Sequence, residues 1–159
     1  MVDIEEIKNR ILSGEEIENI VEEIGWKQFE ELVAEIFKKH DFLTFHNFRF
    51  KTDRRFEVDI LAFDKNYVFV IDCKQWSRGR YKKTGLKYAV EGQKYRLEEL
   101  KNFLKDNPIA KSKLKITEKT KFIPLIVTLF EEDLLKHEDT IIVPVWKLNQ
   151  FLLTLSEYI

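Results

Sequence analysis

The spacing of hydrophobic positions changes several times along the chain, and each change marks a predicted element. In the segment 26–40 the apolar residues recur at the three- and four-residue spacing of one helix face; they are Phe29, Leu32, Val33, Ile36 and Phe37. This spacing predicts an amphipathic helix packed on a flat surface. Three strand-like runs follow, at 43–50, 56–63 and 67–74. The last is apolar from Tyr67 to Ile71, which is typical of a strand covered on both faces.

The second half of the chain predicts two further strands between two helices. The expected elements are a loop at 77–85, a helix at about 86–106, strands at 122–130 and 140–145, and a helix from about 147 to the last residue. Asn107-Pro108 ends the first of these helices, because the residue before a proline is disfavoured in the helical region. Pro124 and Pro144 cannot donate a backbone hydrogen bond, so we expect them at strand ends or on an edge strand.

Two glycines divide the acidic beginning of the chain. Gly14 and Gly25 separate predicted helices at about 3–12 and 15–24. From Gly25 onward the order α, β, β, β, α, β, β, α predicts an α/β sandwich in which a mixed sheet of about five strands is flanked by helices. We therefore predict one domain over residues 25–159, preceded by a short acidic helical extension over residues 1–24.

Composition limits the classes of protein to which this chain can belong. Its 159 residues, 44% hydrophobic and 35% charged, suit one globular domain with a hydrophobic core. A single cysteine, Cys73, excludes an internal disulfide and a cysteine-rich zinc site. We find no targeting leader, and no apolar run approaches the roughly 20 residues that cross a bilayer. We expect a cytoplasmic protein that does not enter a membrane.

Charge is unevenly distributed, although the net charge is only −1. Residues 1–35 contain eleven acids and three bases, whereas residues 74–96 contain eight bases and Glu91 as the single acid. The basic segment directly follows the third predicted strand, and such a run is either a solvated face or a phosphate-binding surface. The acidic segment is either a docking surface for a protein partner or a cover for the basic cleft.

One acid-x-lysine pair differs from the others in the chain. Two of the three pairs lie on predicted helices, where residues two apart point in different directions. Asp72 and Lys74 instead end a buried strand, so both side chains lie on one face and Cys73 lies on the other. Charges there are partly desolvated, which is costly unless they are paired or bind a metal. The pair therefore belongs either to a buried ion network or to a metal site.

A second carboxylate is expected beside Asp72. The turn at 64–66 closes a hairpin that brings Asp59 into its neighbourhood. Two adjacent carboxylates repel each other, and a divalent cation relieves that repulsion. Since the ligands are oxygens, with no histidine or cysteine side chain in place, the favoured ion is Mg²⁺ or Mn²⁺. Glu57 shares a strand face with Asp59 and is an alternative ligand.

Helix geometry adds two further candidates. At about 100° per residue, Glu30 falls on the shoulder of the apolar stripe of its helix, whereas Glu31 and Glu35 fall on the opposite side. Glu30 therefore either faces the sheet or is a partner of the helix N-terminal dipole. On the later helix, Gln93 lies within the inward stripe, and a buried amide needs a polar partner. That partner is either the site or a strand carbonyl.

These motifs together resemble the PD-(D/E)xK nuclease superfamily. The resemblance rests on Phe29-Glu30 in the first helix, Val58-Asp59-Ile60 in the second strand, Asp72-Cys73-Lys74 in the third, and Gln93 in the following helix. It is closest to the Mrr-type restriction endonuclease domains and their relatives among archaeal Holliday junction resolvases. The chain departs from the pattern at Val58, where the superfamily name has proline, and at Asp72, where glutamate is usual.

The resemblance implies a restriction-endonuclease-like fold and a metal-dependent DNA endonuclease that leaves 5′-phosphate ends. It implies a Mg²⁺ site, in which Mn²⁺ substitutes, formed by Glu30, Asp59, Asp72 and the Cys73 carbonyl. It also implies a catalytic set in which these three carboxylates are joined by Lys74 and Gln93. Lys74 would orient the attacking water or stabilise developing negative charge.

By the same resemblance the substrate is double-stranded or branched DNA, held through its phosphates. The residues expected to contact it are Arg54, Arg55, Trp76, Arg78, Arg80, Lys82, Lys83 and Lys87. Two alternatives stay open: a structure-selective junction resolvase acting as a symmetric homodimer, and a nucleic-acid-binding module of the same fold that does not cut.

Overall fold

A six-stranded mixed sheet organises the computed structural model, which describes residues 3–74, 82–128 and 135–159. The helices are α1 (Ile4–Leu12), α2 (Ile17–Lys39), α3 (Lys82–Lys105), α4 (Pro108–Lys113) and α5 (Leu148–Leu153). The strands are β1 (Leu43–Lys51), β2 (Arg55–Phe63), β3 (Tyr67–Lys74), β4 (Lys121–Thr128), β5 (Leu135–His137) and β6 (Thr140–Pro144). None of the helices in these ranges is long and apolar enough to cross a bilayer.

The strands are ordered β1-β2-β3-β4-β6-β5 across the sheet. Antiparallel hairpins join β1, β2 and β3, whereas β3, β4 and β6 run parallel and β5 is antiparallel to β6. The predicted mixed sheet flanked by helices is confirmed, with one strand more than the five expected. Because of these directions, the last residues of β3, β4 and β6 and the first residues of β2 lie at one end of the sheet, which we call the Lys74 end.

Helices cover the two faces of the sheet. On one face Ile60, Ala62, Phe69 and Ile71 pack in a cluster with side chains of α1, α2 and α5. On the other face Leu61, Phe63, Val68 and Val70 pack with three leucines of α3, Leu97, Leu100 and Leu104. The apolar run of β3 from Tyr67 to Ile71 is explained by this burial on both sides, as expected for a strand in the middle of a sandwich.

The predicted N-terminal extension packs onto this core. Gly25 has φ 80° and ψ 175°, which interrupts α2 at the residue where the sequence placed a break. Ile7 of α1 and Ile20 of the first part of α2 are buried in the same cluster as Phe29. The division of the chain between residues 24 and 25 stays a prediction.

Three boundaries differ from those expected. The helix α3 begins at Lys82 rather than near residue 86, and the remainder of the predicted loop, 77–81, lies outside the described residues. The C-terminal helix is broken: α5 ends at Leu153, and a short 3₁₀ turn follows over Leu155–Glu157. The strand β5 was not expected, because three residues are too few to show a period of two.

The position expected for Pro124 is wrong. Pro144 ends β6 as expected, but Pro124 lies inside β4, a strand with neighbours on both sides. Pro124 has no backbone N–H to give to the sheet. At this level the Gln93 side chain supplies donors instead, since its Nε2 lies 2.8 Å from the carbonyl oxygen of Val70, the register partner of Pro124.

Candidate active site

The candidate site lies where β2 and β3 separate at the Lys74 end. Their register pairs end at Ile60 and Ile71, one residue before Asp59 and Asp72. Beyond that point the Cys73 N–H donates to Asp59 Oδ2 at 2.9 Å rather than to a strand carbonyl. A side-chain oxygen of β2 thus takes the place of a backbone acceptor, and the two carboxylates meet at the opening of the fork.

The hairpin turn sets this register. Asp64 Oδ1 accepts hydrogen bonds from the backbone N–H groups of Asn66 and Tyr67, both at 2.8 Å. Such a side-chain-to-backbone turn is the usual role of aspartate at this position. A slip of one residue would turn every side chain of β3 to the other face, so this short turn determines that Asp59 and Asp72 meet.

A local twist of β1 and β2 also places Asp59. The two strands pair at His46–Ile60 and at Phe48–Val58, but not at the intervening Asn47 and Asp59. Asn47 has φ 51°, in the left-handed region that asparagine tolerates better than most residues. The alternation of β2 side chains between the two faces of the sheet shifts by one residue at this point. This is shown by Val58 and Leu61, which are three residues apart and both pack against the α3 face. Asp59 is thereby left out of the ladder and its side chain reaches β3.

Asp72 and Lys74 occupy the end of β3 on one face. The Lys74 Nζ lies 3.3 Å from Asp72 Oδ2, and Asp72 is 8% exposed. The intervening Cys73 points to the other face, into the cluster beneath α2. Among the described residues, Lys74 therefore forms an ion pair with the buried Asp72 carboxylate.

Burial controls the protonation of Asp59. Mainly through burial, and also through the neighbouring charges of Asp72 and Glu30, the pKa of Asp59 is raised to about 7, although the hydrogen bond from the Cys73 N–H lowers it. Asp59 also shares a hydrogen bond with the Asp72 carboxyl. Burial, followed by the charges of Asp59, Glu30 and Asp72, raises the pKa of the Cys73 thiol. Glu30, half-buried on α2, is therefore close enough to act on both β2 and β3.

These oxygen donors fit a hard divalent cation. Two adjacent carboxylates repel each other, and a divalent cation bound between them relieves that repulsion. Within the described ranges, no three or more His, Cys, Asp or Glu side chains are already arranged as a metal cage. A cation at the fork would therefore depend on Asp59 and Asp72, with backbone carbonyl and water oxygens completing its coordination.

The structure places Gln93 against the sheet. It is fully buried, and its Nε2 donates to the carbonyl oxygens of Val70 and Leu125 at 2.8 Å each. Its Oε1 accepts from Arg96. Gln93 thus links α3 to β3 and β4 through its amide, one of the two placements that the sequence left open.

The expected DNA-contacting residues have different placements. The guanidinium of Arg54 lies 4.8 Å from the ring centre of Phe56 and 4.9 Å from that of Tyr95. Arg55 begins β2 and is exposed, as is Lys87 on α3. Lys82 and Lys83 form the first turn of α3. Trp76, Arg78 and Arg80 lie outside the described residues, as do the side chains of Lys82 and Lys83.

The alternative ligand Glu57 is engaged elsewhere. Its Oε2 lies 2.9 Å from Arg49 Nε on the neighbouring strand β1, and both side chains are largely exposed. Glu57 therefore pairs across the hairpin, whereas Asp59 reaches the fork.

Two residues near the site were missed from the sequence. The first is Asn47, whose left-handed backbone lies at the local twist of β1 and β2. The available sequence signal for this twist was an asparagine in the middle of a strand otherwise rich in phenylalanine. Thr128 ends β4 beside Lys74 and carries a buried hydroxyl. No sequence pattern could have found Thr128, because its significance depends on which strand lies next to β3.

The known proteins similar to this chain include one family and two single proteins. A family model, the nuclease-related domain (NERD), matches residues 25–143, a range that contains the fork. An uncharacterized protein of Archaeoglobus fulgidus is 33% identical over 135 residues, which cover 84% of this chain and 94% of that protein. A crystal structure of a protein of unknown function matches 65% of this chain at 21% identity, with a TM-score of 0.38. The match spans about half of that solved chain, 48%.

Proposed function

This chain belongs to the nuclease-related domain family, and from that premise we propose that it is a metal-dependent DNA endonuclease. The observation that carries the proposal is the pair of Asp59 and Asp72 carboxylates at the β2–β3 fork, with Lys74 beside Asp72. A buried ion group of this kind contributes little to folding, because desolvation offsets much of the attraction. The desolvation cost of this group is explained if the group binds a cation and a phosphate.

Each residue of the fork has a proposed role. Asp59, Asp72 and the Cys73 carbonyl would hold Mg²⁺, and Mn²⁺ would substitute for it. When bound, the ion supplies a polarised phosphodiester oxygen and a water of lowered pKa. Glu30 would accept a hydrogen bond from a water at the edge of this site. Cleavage would leave a 5′-phosphate and a 3′-hydroxyl.

Lys74 has the proposed role of stabilising charge. Its ammonium has three N–H donors, and the contact at 3.3 Å to Asp72 uses one of them. The others are available to a phosphate oxygen or to the attacking water. Because Lys74 is anchored on a buried strand, it needs little reorganisation to meet the negative charge that develops during hydrolysis.

The hairpin between β1 and β2 would bind the DNA backbone beside the fork. Arg54 and Arg55 lie at the beginning of β2, which is at the Lys74 end. The two rings beside Arg54 limit its movement while the N–H edge of its guanidinium can still bind phosphate oxygens. Such contacts give affinity without sequence information, so we propose that this surface binds duplex or branched DNA through its phosphates.

The test is cleavage of supercoiled plasmid, linear duplex, single strand and four-way junction with Mg²⁺ or Mn²⁺. The parent protein is compared with Asp72→Asn and with Asp139→Asn, an exposed aspartate in the β5–β6 turn. We expect the parent and Asp139→Asn to cut at equal rates and Asp72→Asn to lose at least about 10³-fold. A parent protein that cuts none of the four substrates, or an Asp72→Asn variant that cuts normally, would contradict the proposal.

A further inference from the structure

Thr128, at the end of β4, carries a hydroxyl that is buried without a partner. The residue is 2% exposed, and within the described residues its Oγ1 makes no hydrogen bond. Nearly all buried hydroxyls in folded proteins are hydrogen-bonded, because an unpartnered one has lost water and gained nothing in exchange. The position of this hydroxyl suggests its missing partner.

Thr128 lies in the same row of side chains as Lys74. It is the register partner of Lys74 on the parallel strand β3, just as Ile126 is the register partner of Asp72. Ile126 packs against Val90 of α3. Since partners on adjacent strands share a face and residues two apart do as well, Asp72, Lys74 and Thr128 all face α3 at the Lys74 end.

The neighbours of Thr128 leave it without an acceptor from the sheet. On the other side its register partner is Pro144 of β6, which offers no polar side chain. Towards β3 its register partner is Lys74, whose ammonium has only donors to offer. The Asp72 carboxylate is already engaged by Lys74 and Asp59. A hydroxyl can accept a hydrogen bond from an ammonium as well as donate one, but within the described residues Thr128 Oγ1 does neither. An anionic oxygen placed between the hydroxyl and the Lys74 ammonium would accept from both.

We propose that Thr128 Oγ1 and Lys74 Nζ together bind one non-bridging phosphate oxygen of the DNA strand. This inference rests on the proposed nuclease function and extends it, because it assigns a phosphate-binding residue on β4, a strand that contributes nothing to the carboxylate pair. Asp72 lies on the same strand as Lys74 and Asp59 lies on the neighbouring strand β2, whereas Thr128 lies on β4, on the opposite side of β3. A phosphate at Lys74 thus contacts the metal-binding groups on one side and Thr128 on the other.

The decisive variants are Thr128→Val, which keeps the branched shape and removes the hydroxyl, and Thr128→Ser, which keeps the hydroxyl. The probe is inorganic phosphate in metal-free buffer, and the readout is the rise in thermal midpoint as phosphate is titrated. We expect the parent and Thr128→Ser to bind phosphate within about threefold of each other and Thr128→Val to bind about tenfold more weakly, the loss of one hydrogen bond to a charged ligand.

A purely structural role gives a different result. Without phosphate, Thr128→Val should melt at or above the parent midpoint, because it removes an unpartnered polar group. If Thr128→Val and the parent respond equally to phosphate, or if the parent does not respond at all, the inference is overturned. Should Thr128→Val fail to fold, Thr128→Ala provides the same comparison, with the loss of phosphate response again the expected outcome.

Cleavage assays on the same proteins separate this inference from the proposed function. If the parent cuts DNA, Thr128→Val should bind a duplex about tenfold more weakly, with an unchanged slope of log Kd against log salt, because no charge is lost. If the parent cuts no DNA while phosphate binding still depends on the Thr128 hydroxyl, the nuclease proposal fails and the phosphate site stands. If phosphate binding is unchanged in Thr128→Val while the parent cuts normally, the phosphate site fails and the nuclease proposal stands.

Discussion

Two groups of charged residues, each with acids around one base, differ in the direction in which the pKa of an acid is shifted. On the surface, Arg10 lies 2.7 Å from Glu15 and 2.5 Å from Glu23. At the fork, Lys74 lies beside Asp72, which contacts Asp59. The Arg10 guanidinium holds the pKa of Glu15 below its usual value, whereas burial raises the pKa of Asp59 to about 7. Acids outnumber bases in both groups, so access to water makes the difference.

The comparison shows why only the fork is a candidate for chemistry. Water screens the excess negative charge around Arg10, so that group needs no further ligand. The fork is partly closed to water, and its excess charge is relieved only by a proton or by a cation. A strongly shifted pKa in a group that also has a clear geometric partner is typical of functional sites.

The largest expected effect is on the rate of DNA cleavage, and it separates the variant that removes Lys74 from the variant that removes Arg10. Lys74→Gln should lower the rate of DNA cleavage roughly 10²–10³-fold, because the developing negative charge loses its preorganised cation. Arg10→Gln should leave the rate unchanged. The measurement is single-turnover cleavage of plasmid at saturating enzyme with Mg²⁺. Equal losses in the two variants would mean that the effect is one of general charge and not of the fork.

The second effect is a pH dependence of stability in metal-free protein. Asp59 has a folded-state pKa of about 7, above its ordinary value of 3.8. Its proton therefore stabilises the folded state fully below about pH 4, and this contribution is lost as the pH rises to about 7. Between pH 5 and pH 8 we expect a loss of free energy of unfolding on the order of 2 kcal/mol.

Urea denaturation at both pH values measures this loss. Asp59→Asn should remove the difference between the two pH values that is due to this group, and it should make the protein more stable than the parent at pH 8. Glu15→Gln is the matched control on the surface and should follow the parent. An Asp59→Asn variant with the full pH dependence of the parent would show that the proton is held elsewhere.

The third effect is stabilisation by a divalent ion. At ten times its dissociation constant an ion that binds only the folded state adds about 1.4 kcal/mol. We expect Mg²⁺ to raise the thermal midpoint of the parent more at pH 8 than at pH 6, because the ion displaces the Asp59 proton. Asp59→Asn should respond weakly at both values. A parent midpoint that is insensitive to Mg²⁺ and Mn²⁺ at pH 8 would contradict a metal site at the fork.

The smallest effect concerns the surface group. Arg10→Gln should change the thermal midpoint only slightly at low salt, and the difference from the parent should vanish at about 1 M salt, where the Debye length falls to about 3 Å. Differential scanning calorimetry at the two salt concentrations provides the measurement. A large difference that persists at high salt would show that Arg10 acts through packing between α1 and α2.

The sequence was sufficient to predict the elements whose hydrophobic residues follow a regular pattern. The stripe beginning at Phe29 has the period of a helix, and the unbroken apolar run from Tyr67 to Ile71 is typical of a strand buried on both faces. Both elements are present. The meeting of Asp59 and Asp72 also followed from local rules, since a short turn and a period of two determine which residues of a hairpin share an edge.

The remaining features depend on neighbours that are distant in the chain. Pro124 is tolerated inside β4 while Gln93, which comes from α3, supplies hydrogen-bond donors to the strands around it. The Thr128 hydroxyl lies beside Lys74 only because β4 pairs with β3. A pattern confined to one segment cannot specify such pairs, because each partner satisfies a requirement created by the other.

The twist at Asn47 has a further consequence for solubility. The strand β1 lies at the edge of the described sheet and exposes Leu43 and Phe45. A long regular edge of this kind is a template on which other chains can add strands and aggregate. The left-handed backbone of Asn47 interrupts the row of N–H and C=O groups halfway along β1, so the residue that frees Asp59 also shortens the regular edge to which a further strand could add.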